Sequence, residues 1–220
     1  MSDEYKLYMK NEWAHEKRGD VPLFEKLSLE GAQAGLSWAT ILAKREGYRK
    51  AFHKFDIDKC AAMSAADIAR LLDAESATIV RHRGKIEAVV HNAKCVQALI
   101  AEAEGRGTAA PHGHFDAFLW SFVGGVPQLN AWPDARSIPS ESDTAHALST
   151  ALKARGFKFV GPKICYSLMQ SCGLIIDHPK GTPEWEAARQ RLAVRAALPG
   201  AAAPLAQGGG AKPRAKRKSK

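Results

Sequence analysis

The chain lacks the features that would assign it at once to a membrane or secreted class. Its 220 residues contain no apolar run near the roughly 18 residues that span a bilayer, and the polar N-terminus has no signal-peptide core. The four cysteines form no C-x-x-C pair, which argues against a disulfide framework or a zinc knuckle. We expect a cytoplasmic protein with no membrane contact, nucleoid-associated if it is bacterial. Its free thiols should be buried at Cys60, Cys95, Cys165 and Cys172.

Several common catalytic motifs are also missing. The sequence has no Walker phosphate loop, no G-x-G-x-x-G after a strand, no G-x-S-x-G and no H-E-x-x-H. Nucleotide-driven, dinucleotide-dependent and ordinary hydrolase functions therefore lose their main support. With 45% hydrophobic and 25% charged residues, the composition is that of a soluble globular protein.

The positive charge is concentrated at the C-terminal end. The formal net charge is +9, and residues 208–220 contain six Lys or Arg and no acid, so the remainder is only mildly basic. A low-complexity segment rich in Ala, Gly, Lys and Arg cannot bury enough apolar surface to fold. We predict a disordered basic tail over residues 199–220, which either attracts phosphates or is merely solvated.

Helical spacing of apolar residues describes most of the chain. Asp20 is expected to cap a helix that Gly35 ends, and Ser37 to cap a second helix that extends to Phe52. Ser64 and Asp67 form a capping-box pattern. Further helices are predicted at 86–105, 115–123, 143–156, 162–172 and from Thr182 onward. Because no strand alternation is sustained, the predicted fold class is all-α, with a domain over 1–183 and a C-terminal helix over 184–198.

The segment from Gly156 to Cys165 suggests how the chain could hold a phosphate. In G-F-K-F-V-G-P-K-I-C one helix ends, the chain turns at Gly161, and a new helix starts at Pro162 just before Lys163. A tight glycine turn at a helix N-terminus exposes backbone N–H groups that can bind a DNA phosphate without reading sequence. Taken alone, the segment fits an ordinary helix corner, with Gly161 as a turn residue, better than a DNA contact.

Ordered sequence blocks from Tyr5 to His178 resemble the 3-methyladenine DNA glycosylase I family. The blocks are Tyr5 and Tyr8, Asn11-Glu12-Trp13, L-E-G-A-Q-A-G-L-S-W, R-H-R-G-K-I, F-L-W-S-F-V, R-G-F-K-F-V-G and C-G-L-I-I-D-H. The resemblance implies a helix-hairpin-helix DNA glycosylase, built as a bundle of two small lobes, that releases 3-methyladenine from alkylated double-stranded DNA. It also implies that residues 1–183 form the glycosylase domain.

The resemblance places Glu30, Tyr8 and Trp38 in the base pocket, with Tyr5 beside them. An extruded base needs a stacking surface and hydrogen bonds at its edge. Trp38 offers the surface, while Glu30, the candidate catalytic residue, can accept bonds from the amino edge of adenine and complement its positive charge. Leu36 either fills the gap in the duplex as an apolar wedge or simply packs. Gly161 and Lys163 belong to the predicted DNA contact.

The expected mechanism follows from the leaving group. An N3-alkylated purine is already cationic, so breaking its glycosidic bond releases a neutral base without a strong general acid. Hydrolysis would leave an abasic site, and because the family pattern places no lysine for a Schiff base, we expect no lyase activity. Asp177 lies sixteen residues after Gly161, roughly where related enzymes keep a catalytic aspartate. An Asp-His-Pro turn explains it adequately, and we leave it out of the catalytic set.

The sequence departs from the family at the family's zinc site. Met9 stands where the family has a His, Thr182 replaces a Cys, and no Cys precedes Tyr5, so only His178 remains of about four ligands that structural zinc needs. We therefore expect no metal and no other cofactor, with the termini joined by packing around Trp13 and Trp185. We also expect a monomer. The alternatives are a protein that binds alkylated DNA without cleaving it and a glycosylase with a shifted lesion range.

Overall fold

The computed structural model describes residues 2–73 and 78–197, and the predicted tail lies outside these ranges. Eleven α-helices are formed by the described residues. They are α1 (Asp3–Asn11), α2 (Asp20–Gln33), α3 (Trp38–Leu42), α4 (Arg45–Ala51), α5 (Ile57–Ala61), α6 (Ala65–Leu72), α7 (Arg83–Gly105), α8 (His114–Ser121), α9 (Asp143–Ala154), α10 (Pro162–Ser171) and α11 (Pro183–Ala196). Short 3-10 turns lie at His53–Phe55 and Ala135–Ser137. The predicted all-α fold class is confirmed.

Polar caps begin several of these helices where the sequence predicts them. Ser37 accepts a hydrogen bond from the Thr40 N–H, and Ser64 forms a complete capping box with Asp67. The prediction for Asp20 is wrong, because Gly19 is the N-cap of α2 and Asp20 is its first helical residue. The Asp20 carboxylate instead accepts a bond from the Asp116 N–H at 2.8 Å, which joins the start of α2 to α8.

The predicted helix from Trp38 to Phe52 is two helices. Lys44 has φ −104° and ψ 2°, so α3 ends and α4 begins around it. The break lets Arg45 reach Glu12 at the end of α1, with an Nη1–Oε1 distance of 2.7 Å. It also brings Gly47 against the backbone of Thr78, where no larger residue would fit. These tertiary contacts outweigh the continuous helical spacing of the apolar residues.

Helix α2 packs against both α7 and α10. Its residues Phe24, Leu27 and Leu29 are part of a single large core that also includes Phe52, Phe55, Trp120 and Tyr166. Cys60, Cys165 and Cys172 are buried free thiols, as predicted, while Cys95 is half-buried. Burial raises the pKa of the Cys60 thiol to about 12.

A small parallel pair of strands, β1 (Gln128–Leu129) and β2 (Ile175–Ile176), was not predicted. Each strand has two residues, too few for any alternation to be visible in the sequence. Beside it, Ala14, Ile176 and Ala188 form a second, smaller core, so the N-terminal segment, β2 and α11 pack together. None of the described helices is long and apolar enough to cross a membrane.

Candidate functional site

Three helices bring the predicted pocket residues together. Tyr8 comes from α1, Glu30 from the last turns of α2, and Trp38 from the first residue of α3. The ring centroids of Tyr8 and Trp38 are 5.3 Å apart, and Tyr5 lies edge-on to Tyr8 at 6.3 Å. Tyr8 is buried, whereas Trp38 is partly exposed. The result is a closely spaced aromatic cluster that reaches the surface at Trp38.

Glu30 is deeply buried beneath this cluster. Its side chain belongs to a residue that is 3% exposed, and Oε1 accepts a hydrogen bond from Ser171 Oγ at 2.9 Å. Burial raises the pKa of the Glu30 carboxyl, although the charge of Lys26 and the bond from Ser171 act in the opposite direction. No bond to Oε2 is formed by the described residues, which leaves this oxygen as an acceptor for a ligand.

Lys26 also belongs to the cluster, although it was not among the predicted pocket residues. Its Nζ donates to Tyr8 Oη at 3.0 Å and lies 3.7 Å from Glu30 Oε1. Burial lowers the pKa of Lys26, opposed by the charge of Glu30. A signal was available, because a lysine four residues before a glutamate lies on the same face of a helix.

Helix α7 holds the turn between Glu30 and Trp38 in place. Gly35 has a φ of +76°, which a glycine tolerates readily. Lys85 on α7 donates to the carbonyl oxygens of Ala32 and Ala34 at 2.8 and 2.6 Å, so this buried ammonium caps the end of α2. The contact leaves Leu36 41% exposed at the tip of the turn. Lys85 is therefore a structural residue, while Arg81 and Arg83 are exposed.

The hairpin between α9 and α10 is held by side chains of α7 and α9. Asn92 is buried and bonds to the backbone of Lys158 in both directions, donating to its carbonyl at 3.0 Å and accepting from its N–H at 2.8 Å. Ser149 Oγ donates to the Val160 carbonyl at 2.6 Å. Gly161 then begins α10 with open space beside it, and Lys163 is exposed in the first turn. The hairpin thus presents a free helix N-terminus.

Replacing Asn92 with alanine should destabilise the fold by about 2 kcal/mol, because both backbone groups of Lys158 would lose their partner in a partly buried place. Urea unfolding measures this change. The control is Asn11→Ala at the exposed end of α1, for which we expect less than about 0.5 kcal/mol. Equal, small effects in both variants would show that Asn92 does not hold the hairpin.

Asp177 is completely buried. Its carboxylate accepts four hydrogen bonds, from Asn130 Nδ2 at 2.7 Å, Trp132 Nε1 at 2.6 Å, Tyr166 Oη at 2.6 Å and Gln170 Nε2 at 2.8 Å. The donors come from the segment around β1 and from α10. Asp177 therefore connects these two parts of the chain, and its oxygens have no open side facing a substrate.

The termini meet through packing and hydrogen bonds. Trp13 lies edge-on to His178 with centroids 5.0 Å apart, and Trp185 Nε1 donates to the Asn130 carbonyl at 2.7 Å. The carboxylate of Glu16 pairs with Arg195 of α11 at 3.0 Å. Within residues 2–73 and 78–197, no three potential His, Cys, Asp or Glu ligands cluster. His178 alone does not fit structural zinc, and the absence of metal stays a prediction.

An aromatic cluster with a buried carboxylate, next to a helix N-terminus in a tight hairpin, defines a class of helical proteins suited to holding one extruded base. The sequence pattern of the family described as methyladenine glycosylase matches residues 1–184. The chain belongs to the methyladenine glycosylase family.

Individual relatives agree with this assignment. The chain is 46% identical over 177 residues to DNA-3-methyladenine glycosylase 1 of Escherichia coli and 46% identical over 176 residues to DNA-3-methyladenine glycosylase of Haemophilus influenzae. Both matches cover 80% of this chain and 89% of the relative. The structure of 3-methyladenine DNA glycosylase I from Staphylococcus aureus, solved to explain 3-methyladenine recognition, is similar with a TM-score of 0.74 at 37% identity. It covers 83% of this chain and 92% of the other.

Proposed function

We propose that this chain is a DNA glycosylase that removes 3-methyladenine from alkylated double-stranded DNA by hydrolysis. The carrying observation is the convergence of Glu30, Tyr8 and Trp38 at one partly open cluster. The names of its relatives in Escherichia coli and Haemophilus influenzae support the same activity. The base must leave the duplex to reach Glu30, because this carboxylate lies below the aromatic rings.

Each pocket residue has a recognition role in this proposal. Trp38 stacks on the purine, and the free oxygen of Glu30 accepts a bond from the exocyclic amino group while its charge complements the cationic ring. In the free protein the Tyr8 hydroxyl oxygen accepts a bond from Lys26, and the hydroxyl proton can donate to a ring nitrogen of the base. Tyr5 supports Tyr8 through the edge-on contact.

Two turns are assigned to DNA in this proposal: the hairpin at Gly161 contacts the backbone, and the turn at Leu36 fills the gap left by the base. The hairpin offers the N–H groups at the start of α10, with Gly161 leaving room for a phosphate and Lys163 adding charge. Leu36 is exposed at the tip of a turn that its neighbours keep rigid, which supports a wedge in the duplex over a packing role.

The chemistry needs little from the protein beyond placement. A cationic purine is a good leaving group, so Glu30 acts by binding and charge and needs no proton to give away. A water then attacks the sugar. The four donors around Asp177 support a structural role for this residue. The protein is proposed to act as a cytoplasmic monomer without metal or cofactor.

Incubation of the protein with a methylated duplex, followed by chromatography of the released bases, tests the proposal. We expect 3-methyladenine from the methylated duplex, no base from an untreated duplex, and an intact DNA strand that breaks only under alkali. Strand breakage without alkali, or a covalent complex trapped by borohydride, would reveal lyase activity. Binding without release would identify a recognition protein, and release of another base would identify a glycosylase for a different lesion.

A further inference from the structure

Lys26 has a position that the proposed recognition scheme does not explain. It is 5% exposed, and its ammonium nitrogen lies 4.1 Å from the centroid of the Trp38 ring and 5.0 Å from that of Tyr8. It also contacts the Tyr8 hydroxyl and Glu30, at 3.0 and 3.7 Å. One cation of the protein thus contacts all three residues that are proposed to bind a cationic purine.

In the proposed arrangement, the ammonium lies where the base would stack. A purine stacked on this face of Trp38, within reach of Tyr8 and Glu30, would overlap the end of the Lys26 side chain. A separate cleft beside Lys26, lined by Leu29 and Trp38 but not by Tyr8 or Glu30, has a volume of only about 40 Å³, so it offers no alternative place for a purine. Binding of the base therefore requires Lys26 to leave the ring face.

The charge of the damaged base decides how readily it can displace Lys26 from the Trp38 ring. Two positive charges about 4 Å apart repel each other strongly wherever water is excluded, so a cationic base meets resistance that a neutral base does not. The groups that face Lys26 are Glu30 on the same helix, Tyr8 and Glu12 from α1, Lys17 from the segment after α1, and Cys172 after α10. The two glutamates stabilise the ammonium, while burial and Lys17 favour loss of its proton.

We propose that Lys26 is a specificity-determining residue of this pocket: its ammonium occupies the base position in the free protein, and a cationic base binds only when the side chain moves away or loses its proton. The proposal rests on the proposed function because it concerns the same pocket. It predicts a weaker preference for cationic over neutral purines near neutral pH than the pocket would have without Lys26.

Two variants separate the charge of Lys26 from its bulk. Lys26→Met removes the charge at every pH, and Lys26→Arg keeps it at every pH, because guanidinium does not titrate in this range. At subsaturating methylated duplex, the release rate of 3-methyladenine at about pH 6 should be about tenfold higher for Lys26→Met than for wild type. The wild-type rate should rise from the Lys26→Arg level toward the Lys26→Met level as the pH rises through the lowered pKa of Lys26.

Comparing the pH dependence of the release rate in wild type and the two variants distinguishes the titration of Lys26 from that of Glu30. Glu30 loses its ion pair in Lys26→Met, so its pKa rises and its ionisation appears in that profile at a higher pH than in the other two. The step assigned to Lys26 is present in wild type and absent from both variants. A Lys26→Met protein that is slower than wild type at every pH, with a parallel profile, would overturn the proposal and leave Lys26 as a support for Tyr8.

A measurement on the DNA-free protein keeps the two proposals distinguishable. The tryptophan fluorescence of wild type should show a pH-dependent step that Lys26→Met and Lys26→Arg both lack, since only wild type has a titrating amine against Trp38. If no variant released 3-methyladenine, the proposed function would be wrong, while this step would still support the placement of Lys26. The absence of the step in wild type would contradict that placement.

Discussion

Release of 3-methyladenine should fall at least about 100-fold when Glu30 is replaced by glutamine. The amide keeps the shape of the carboxylate and one acceptor oxygen, but it loses the charge that complements the cationic purine. Charge-assisted contacts of this kind contribute about 3 kcal/mol, and about 1.4 kcal/mol corresponds to a factor of ten in rate. The change also removes the buried partner of the Lys26 ammonium, 3.7 Å away, and so favours loss of the Lys26 proton. Single-turnover release from methylated duplex measures the effect.

Glu46→Gln is the matched control for this experiment. Glu46 lies on α4, its side chain is largely exposed, and it pairs only with Arg49 within the described part of the chain, so its loss should change release less than twofold. Circular dichroism and urea unfolding of both variants separate a folding defect from a defect in recognition. Wild-type release by a folded Glu30→Gln protein would remove Glu30 from the proposed site.

Replacing Asp177 with asparagine should lower the free energy of unfolding by about 3 kcal/mol. The carboxylate accepts bonds from four donors in the folded protein. An asparagine presents an NH₂ group to some of them, which leaves buried donors without acceptors. Urea denaturation with a linear extrapolation measures the loss.

The activity of Asp177→Asn shows whether Asp177 has a structural or a catalytic role. If the residue is structural, the folded fraction of Asp177→Asn at low temperature should release 3-methyladenine at a rate close to wild type. A variant of normal stability that binds methylated DNA and releases no base would instead make Asp177 a catalytic residue. Asp143→Asn is the control, because Asp143 is exposed in the first turn of α9. Its replacement should change the free energy of unfolding only by the loss of a favourable helix-dipole interaction, about 0.5 kcal/mol.

Local patterns predicted most of the helices, whereas the pocket residues were predicted from the family resemblance and not from any local pattern. The caps at Ser37, Ser64 and Thr182 are confirmed because a cap depends on neighbours within one turn of a helix. The break near Lys44 depends on the distant Glu12, and helical spacing continues across it, so the sequence alone favours one helix. The pairing of β1 with β2 joins residues far apart along the chain and is invisible to any local pattern.

The buried polar residues that support the site were harder to predict. Asn92, Lys85 and Asp177 look like ordinary surface residues in the sequence, and their partners lie on other elements. Only the fold reveals that each satisfies backbone or side-chain groups around the pocket and the hairpin. Lys26 is different, because its spacing from Glu30 was visible. Its position over Trp38, however, depends on how α3 packs against α2.

Helix α7 supports both surfaces that are proposed to contact DNA. Lys85 anchors the turn that carries Leu36, and Asn92, two helical turns further along, anchors the hairpin before Gly161. If both proposed contacts are correct, one helix therefore sets the distance between a phosphate at the hairpin and the wedge at Leu36. On the proposed roles, the duplex has to adapt to this spacing, and any bending that this needs costs least where a damaged base stacks poorly. The fixed spacing of these two contacts would then favour binding to easily deformed, damaged DNA before any base enters the pocket.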